Sequence, residues 1–133
     1  MSDTVIGSCL CGEIRFSAPA EPIIQVLCHC TDCQTVSGAA SYCAYIVPLE
    51  GVKLLQGRPE CYDVKADTGR LNSRRFCGKC GSRVWAELEM GTASVNGLCF
   101  SDRGHFRPSH NHRLNTAPDW CQINNELDEL PAG

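Results

Sequence analysis

Short apolar stretches are broken every ~8–15 positions by Gly, Pro or polar turn residues, a rhythm that predicts a mainly β domain rather than a helical bundle. In Glu13-Ile14-Arg15-Phe16-Ser17 the alternation is strict and puts Ile14 and Phe16 on one strand face. Ile23 to Leu27 is a short apolar run suited to a buried strand. Ser41 to Val47 is rich in aromatic and β-branched residues and stops at Pro48. Cys61 to Val64 and Arg83 to Leu88 also alternate, and Thr92 to Val95 is a weaker strand ended by Asn96-Gly97. Trp120 to Ile123 is predicted as the last strand, with Trp85 and Trp120 as core anchors. Helix is scarce: Thr31 to Ala40 can begin a short turn capped by Thr31 or Asp32, with Gly38 limiting it. Residues 101–118 hold Gly104, Pro108 and Pro118 and read as a long loop, of the kind that is often functional or mobile. With no repeat, low-complexity tract or long linker, residues 1–133 are expected to form one domain.

Charge narrows the choice of partners. Lys and Arg total 12 against 15 Asp and Glu, a net −3, which argues against a nucleic-acid partner held by electrostatics. No apolar run approaches the ~18–20 residues of a membrane helix. Met1 to Val5 carry neither a positive n-region nor an apolar h-region, so a cytoplasmic location is expected. Against that background the 11 cysteines stand out. Their density nears the ~8–10% that marks a disulfide scaffold in a secreted chain. In a reducing compartment, and with an odd count, it points instead to metal ligation or redox chemistry. Ligating thiolates would lower the net charge to about −6 for one four-thiolate and one three-thiolate zinc site.

Three clusters carry the candidate chemistry: Cys9-Leu10-Cys11, Cys28-His29-Cys30-Thr31-Asp32-Cys33 and Cys77-Gly78-Lys79-Cys80. In extended backbone, positions i and i+2 face one way, so Cys9 with Cys11, and Cys28 with Cys30, can each present two sulfurs to one ion while Leu10 and His29 turn away. Cys77 and Cys80 flank a tight turn in which glycine permits positive φ. Tetrahedral zinc takes four ligands, and Cys9, Cys11, Cys77 and Cys80 form the natural closed set. Cys28, Cys30 and Cys33 offer three ligands with an open fourth position, the pattern of a catalytic zinc. Two other readings stay open for this cluster. One is a second structural zinc completed by His110, His112 or another cysteine; the other is a Cys30–Cys33 redox pair.

The chain resembles the glutathione-dependent formaldehyde-activating enzymes, a family that includes centromere-protein-V-like proteins. The matching segments are Gly7-Ser8-Cys9-Leu10-Cys11-Gly12, residues 28–33, Ser37-Gly38-Ala39, residues 75–82, and His110 followed by Ala117-Pro118-Asp119-Trp120. The resemblance implies an Mss4-like β-tent of short antiparallel sheets around zinc sites, with little helix. It implies a structural zinc on Cys9, Cys11, Cys77 and Cys80, and a labile zinc on Cys28, Cys30 and Cys33 in a cleft that accepts glutathione. The implied reaction joins glutathione sulfur to formaldehyde, carbon–sulfur lyase chemistry in reverse. The alternative is a zinc-binding module that recognises a partner without turnover.

Arg70, Arg74 and Arg75 precede the second knuckle, and Arg75 is a candidate for binding the carboxylates of a glutathione-like ligand. His110 is a candidate proton shuttle, distant ligand or orienter. Cys43, Cys61, Cys99 and Cys121 sit alone and are expected to behave as small buried hydrophobes.

Overall fold

Residues 3–131 are described by a computed structural model. The strands are β1 (Thr4–Ser8), β2 (Arg15–Pro19), β3 (Ile24–Cys28), β4 (Tyr42–Pro48), β5 (Lys53–Gln56), β6 (Glu60–Lys65), β7 (Leu71–Phe76), β8 (Arg83–Leu88), β9 (Thr92–Asn96), β10 (His110–His112) and β11 (Asp128–Leu130). The α-helix α1 (Thr31–Ser37) lies between β3 and β4. The protein is mainly β, as the patterning predicts. One sheet runs β1-β2-β5, and a second of eight strands runs β11-β10-β3-β4-β9-β8-β7-β6.

Period-two alternation divides the large sheet into two working faces. On β4, Tyr45 and Val47 are fully buried towards the small sheet, among Ile14, Phe16, Val95 and Phe100. Each such side chain contributes about 1.5–3 kcal/mol by leaving water. Phe16 meets Trp85 edge-on at 5.3 Å, and Tyr45 meets Phe100 at 4.8 Å, so the core is locked by ring geometry as well as by area. The intervening β4 residues, Tyr42 and Ala44, point to the other face and pack with Val26 and Cys33 beneath α1. Gly38 ends α1 in the left-handed region at φ 70°, as its position in the sequence suggests.

Two sequence expectations fail here. Trp120 to Ile123 form no strand, and Trp120 is 76% exposed rather than a core anchor. The last strand is β11, because β10 is already paired on both sides, parallel to β3 and to β11. The second failure is the long loop at 101–118, which β10 interrupts. Its sequence, His110-Asn111-His112, carries no apolar alternation; Asn111 is 2% exposed and its Nδ2 donates to the Asn124 carbonyl at 2.9 Å. Such a strand forms because its neighbours supply the ladder, not because its own residues favour one. The lone cysteines are also less buried than their sequence surroundings suggest: Cys61 is exposed on β6, and Cys43, Cys99 and Cys121 are only half-buried.

Gly7 lets β1 lie against the core. A Cβ there would stand 2.3 Å from Phe16 Cζ. Gly7→Ala is expected to cost about 1–3 kcal/mol by overpacking. The shift of the urea midpoint at unchanged slope measures it, and an unmoved midpoint would show that the ring has room to retreat.

Candidate metal centres and the adjoining cleft

The first centre is made by two turns. β1 ends at Ser8, and Cys9 to Gly12 form a turn closed by Gly12 N–H donating to the Cys9 carbonyl at 3.1 Å. The pair is therefore turned rather than extended, although Leu10 does point outward, 89% exposed. After β7, Cys77 to Ser82 form a second turn, with Gly81 at φ 81° and its N–H donating to the Cys77 carbonyl at 2.7 Å. The two turns are tied by Leu10 N–H donating to Ser82 Oγ at 3.0 Å. Backbone N–H groups of Ile14 and Lys79 donate to the sulfurs of Cys9 and Cys77 at 3.2 and 3.4 Å.

The four sulfurs of Cys9, Cys11, Cys77 and Cys80 lie within 4.8 Å of one another, with Cys9–Cys11 and Cys11–Cys77 both at 3.7 Å. Sulfurs ~2.3 Å from a tetrahedral zinc are separated by about 3.8 Å, so the donor set fits that ion. The charges say the same. Ser82 hydrogen bonds lower the Cys80 thiol to about 5. The backbone amide of Glu13 pulls Cys11 downward, but desolvation and the sulfurs of Cys9, Cys77 and Cys80 outweigh it and leave it at about 11. Without a cation, one thiolate here resists a second.

The second group is the end of β3 and the start of α1. Cys28 closes the strand, and Cys30, extended at φ −66° and ψ 157°, is the helix N-cap, its Sγ accepting from Cys33 N–H at 3.3 Å. The cap is thus a cysteine, not the Thr31 or Asp32 expected from propensity. The sulfurs of Cys28, Cys30 and Cys33 lie within 4.8 Å of one another. His29 turns away and is buried; its Nδ1–H donates to the His112 carbonyl at 3.1 Å. Hydrogen bonds from Cys28 and Cys33 hold Cys30 far below the usual thiol range, and Cys28 is pushed up to about 11, chiefly by Cys30. Cys33 is also pushed up, by Cys28 first and Cys30 second. This set too accommodates a single charge by itself and suits a cation.

These three sulfurs open on a cleft of about 800 Å³. Its floor is the second face of the large sheet and its rim is the β6–β7 turn. Strand parity decides which arginine enters. On β7, Asn72 and Arg74 line the cleft, as does Arg70 just before the strand, whereas Arg75 faces the opposite way and pairs with Glu87, Nε to Oε2 at 3.2 Å. Arg74 is 6% exposed, its Nη2 lies 3.9 Å from Cys33 Sγ, and its Nε has no hydrogen-bond partner. His110 is likewise outside the cleft, bonded through Nδ1 to Ser109 Oγ at 2.7 Å. His112 lines it instead, with Nδ1 3.8 Å from Cys28 Sγ. Burial, followed by the Arg113 cation, lowers the pKa of that imidazole. The sequence offered His110 and His112 alike as completing this group; the parallel pairing of Cys28 with His112 brings His112 to it.

A clasp spans the cleft. Arg113, left-handed at φ 60°, reaches from the end of β10 to Asp67 in the β6–β7 turn, with two hydrogen bonds of 2.8 and 2.6 Å. The Arg113 guanidinium holds the Asp67 carboxyl below its usual range.

With the geometry in place, comparison with known proteins defines the class. A crystal structure of a Rhodobacter sphaeroides protein matches with a TM-score of 0.59 at 18% identity, covering 73% of this chain and 88% of that one; the likeness is one of fold. No curated protein matches. The family described as glutathione-dependent formaldehyde-activating enzyme matches residues 4–116, a span that takes in both cysteine groups, and the chain belongs to it. No helix among the described residues is long and apolar enough to cross a membrane.

Two predictions follow from these centres. Cys77→Ala is expected to leave the chain unfolded by circular dichroism, since structural zinc supplies ~10–16 kcal/mol to small modules. Cys30→Ala is expected to stay folded with one metal ion fewer by elemental analysis. The Asp67–Arg113 pair tests differently. A carboxyl lowered in the folded state from about 3.9 contributes fully above the ordinary range and loses its contribution as pH falls through the folded value. Amide exchange in residues 66–70 is therefore expected to stay slow down to that range, and to quicken in Asp67→Ala only above it, where the wild-type carboxylate is ionised. Equal protection in both would show that the pair does not hold the turn.

Proposed function

We propose that this chain is a zinc-dependent carbon–sulfur lyase acting on the adduct of glutathione, or another acidic thiol, with an aldehyde. The observation that carries the reading is the meeting of three thiol sulfurs with a buried, partly unpartnered arginine in a cleft large enough for a peptide-sized thiol. Cys28, Cys30 and Cys33 would hold the reactive zinc, and Cys9, Cys11, Cys77 and Cys80 a structural one. When bound, the open-site zinc supplies Lewis-acid polarisation and keeps a sulfur deprotonated.

The chain's own residues do the rest. Arg74 places positive charge beside Cys33 and offsets a three-thiolate site whose net charge with zinc is negative. Lys65 and Arg70 on the rim, with Arg74, offer cations to the carboxylates of glutathione, the role first considered for Arg75. His110 does not line the cleft, and its Nδ1 is bonded to Ser109 Oγ, so this reading gives it no part in the chemistry. In the forward direction a carbon–sulfur bond forms between thiol and carbonyl carbon while the carbonyl oxygen takes a proton. In reverse that bond breaks, the hydroxyl proton leaves, and the sulfur departs with the electron pair.

The second reading, a zinc module that binds a partner without turnover, draws on the exposed indole of Trp120. The two are separated by following S-hydroxymethylglutathione exchange by NMR with zinc-loaded protein. Acceleration that Cys30→Ala abolishes is expected, and no acceleration of this adduct or of glutathione adducts of longer aldehydes would sink the lyase. Arg74→Gln is expected to lower kcat/KM about ten- to a hundredfold, the worth of a hydrogen bond to a charged group. A comparable loss in Arg75→Gln, with Arg74→Gln unaffected, would move the anion site to the other face.

A further inference from the structure

We infer that the carbonyl-derived arm of the substrate is an apolar group of several carbons rather than a single carbon. The inference rests on the lyase reading above and concerns what lies beside the sulfurs. On β3, Cys28, Val26 and Ile24 share one face; on β4, Tyr42, Ala44 and Ile46 share it. The antiparallel register pairs them directly, Cys28 with Tyr42, Val26 with Ala44, and Ile24 with Ile46. All six line the cleft. The result is an apolar ladder that starts at a candidate ligand sulfur and runs about 13 Å along the strand, four residues at ~3.3 Å each.

The opposite wall has another character. Asn72 and Arg74 on β7 line it, across β9 and β8 from the ladder, and Arg74 Nε is buried without a hydrogen-bond partner. The Arg74 guanidinium gives this side of the cleft a cation, where the ladder offers only apolar surface. The cleft is therefore two-sided. A sulfur held at Cys28, Cys30 and Cys33 carries one substituent towards the arginine wall and another along the ladder. A one-carbon arm would leave Ile24 and Ile46 against water and gain nothing from them. An alkyl or aryl arm would bury them, with each added methylene contributing about 0.8 kcal/mol.

The experiment uses simple alkanethiols, whose S–CH2–R arm stands for the carbonyl-derived side. Ethanethiol through pentanethiol are titrated into full-length protein carrying cobalt in place of zinc, and the change in the thiolate-to-metal absorption reads binding. Affinity is expected to rise about fourfold per added methylene. In Ile46→Ser the rise should flatten while ethanethiol still shifts the spectrum. The pentanethiol-to-ethanethiol ratio is taken on one preparation, so partial unfolding of the variant does not enter it. Thiols that all shift the spectrum with equal affinity would overturn the apolar arm and leave the lyase reading standing. A spectrum that no thiol moves would overturn the lyase reading, and the apolar arm with it. An undiminished rise in Ile46→Ser would place the alkyl chain elsewhere and overturn the ladder.

Discussion

Thiols repel a second negative charge, and this chain gathers seven of them into two groups whose sulfurs lie within 4.8 Å of one another. In the second group Cys30 is held low and Cys28 and Cys33 are pushed up, and in the first Cys80 is low and Cys11 high, because a thiolate satisfied by its neighbours' hydrogen bonds leaves no compensation for the next. A divalent cation removes that conflict by accepting all the sulfurs as thiolates. The architecture brings the sulfurs of each group to one place. The Cys9–Cys11 turn leaves the small sheet and the Cys77–Cys80 turn leaves β7 of the large one, so the place where their sulfurs meet also fixes how the two sheets sit.

The two groups differ in what surrounds them. The first is framed by two turns whose N–H groups point at sulfur and whose Ser82 links one turn to the other, with Cys11 at the surface. Such a site has its donors complete within the chain. The second sits where a strand passes into a helix, three sulfurs at the edge of a cleft, with a buried arginine opposite and a histidine on the next strand. An incomplete donor set beside a cavity is the arrangement a ligand can enter. The clasp between Arg113 and Asp67 bridges the two ends of the large sheet over the same opening and couples the β6–β7 turn to the strand that carries His112.

Family membership and geometry supply different parts of this account. Membership covers the span that includes both cysteine groups and brings glutathione and formaldehyde into view. Geometry selects the residues. Arg74 rather than Arg75 faces the sulfurs, and His112 rather than His110 lies beside Cys28, because each pair straddles the pleat or the register of a strand. A shift of one position along a strand exchanges cleft for solvent or core.

The cysteine spacing alone carried the pairing of donors, alternation carried β2, β6 and β8, and aromatic and β-branched composition carried β4, since each is a local property that a run of a few residues contains in full. Gly38 as the end of α1 was equally legible, because left-handed backbone favours glycine wherever it occurs. What only the tertiary structure decided was non-local. β10 is three polar residues whose strand state exists because β3 and β11 flank it in parallel, and its pairing carries His112 to Cys28 across 84 positions of sequence. The exposure of Trp120, the burial of Arg74 and the apolar ladder beside Cys28 have the same origin. Side-chain type states what a residue can do; which face it occupies, and what it meets there, is set by strand partners that no short stretch of sequence contains.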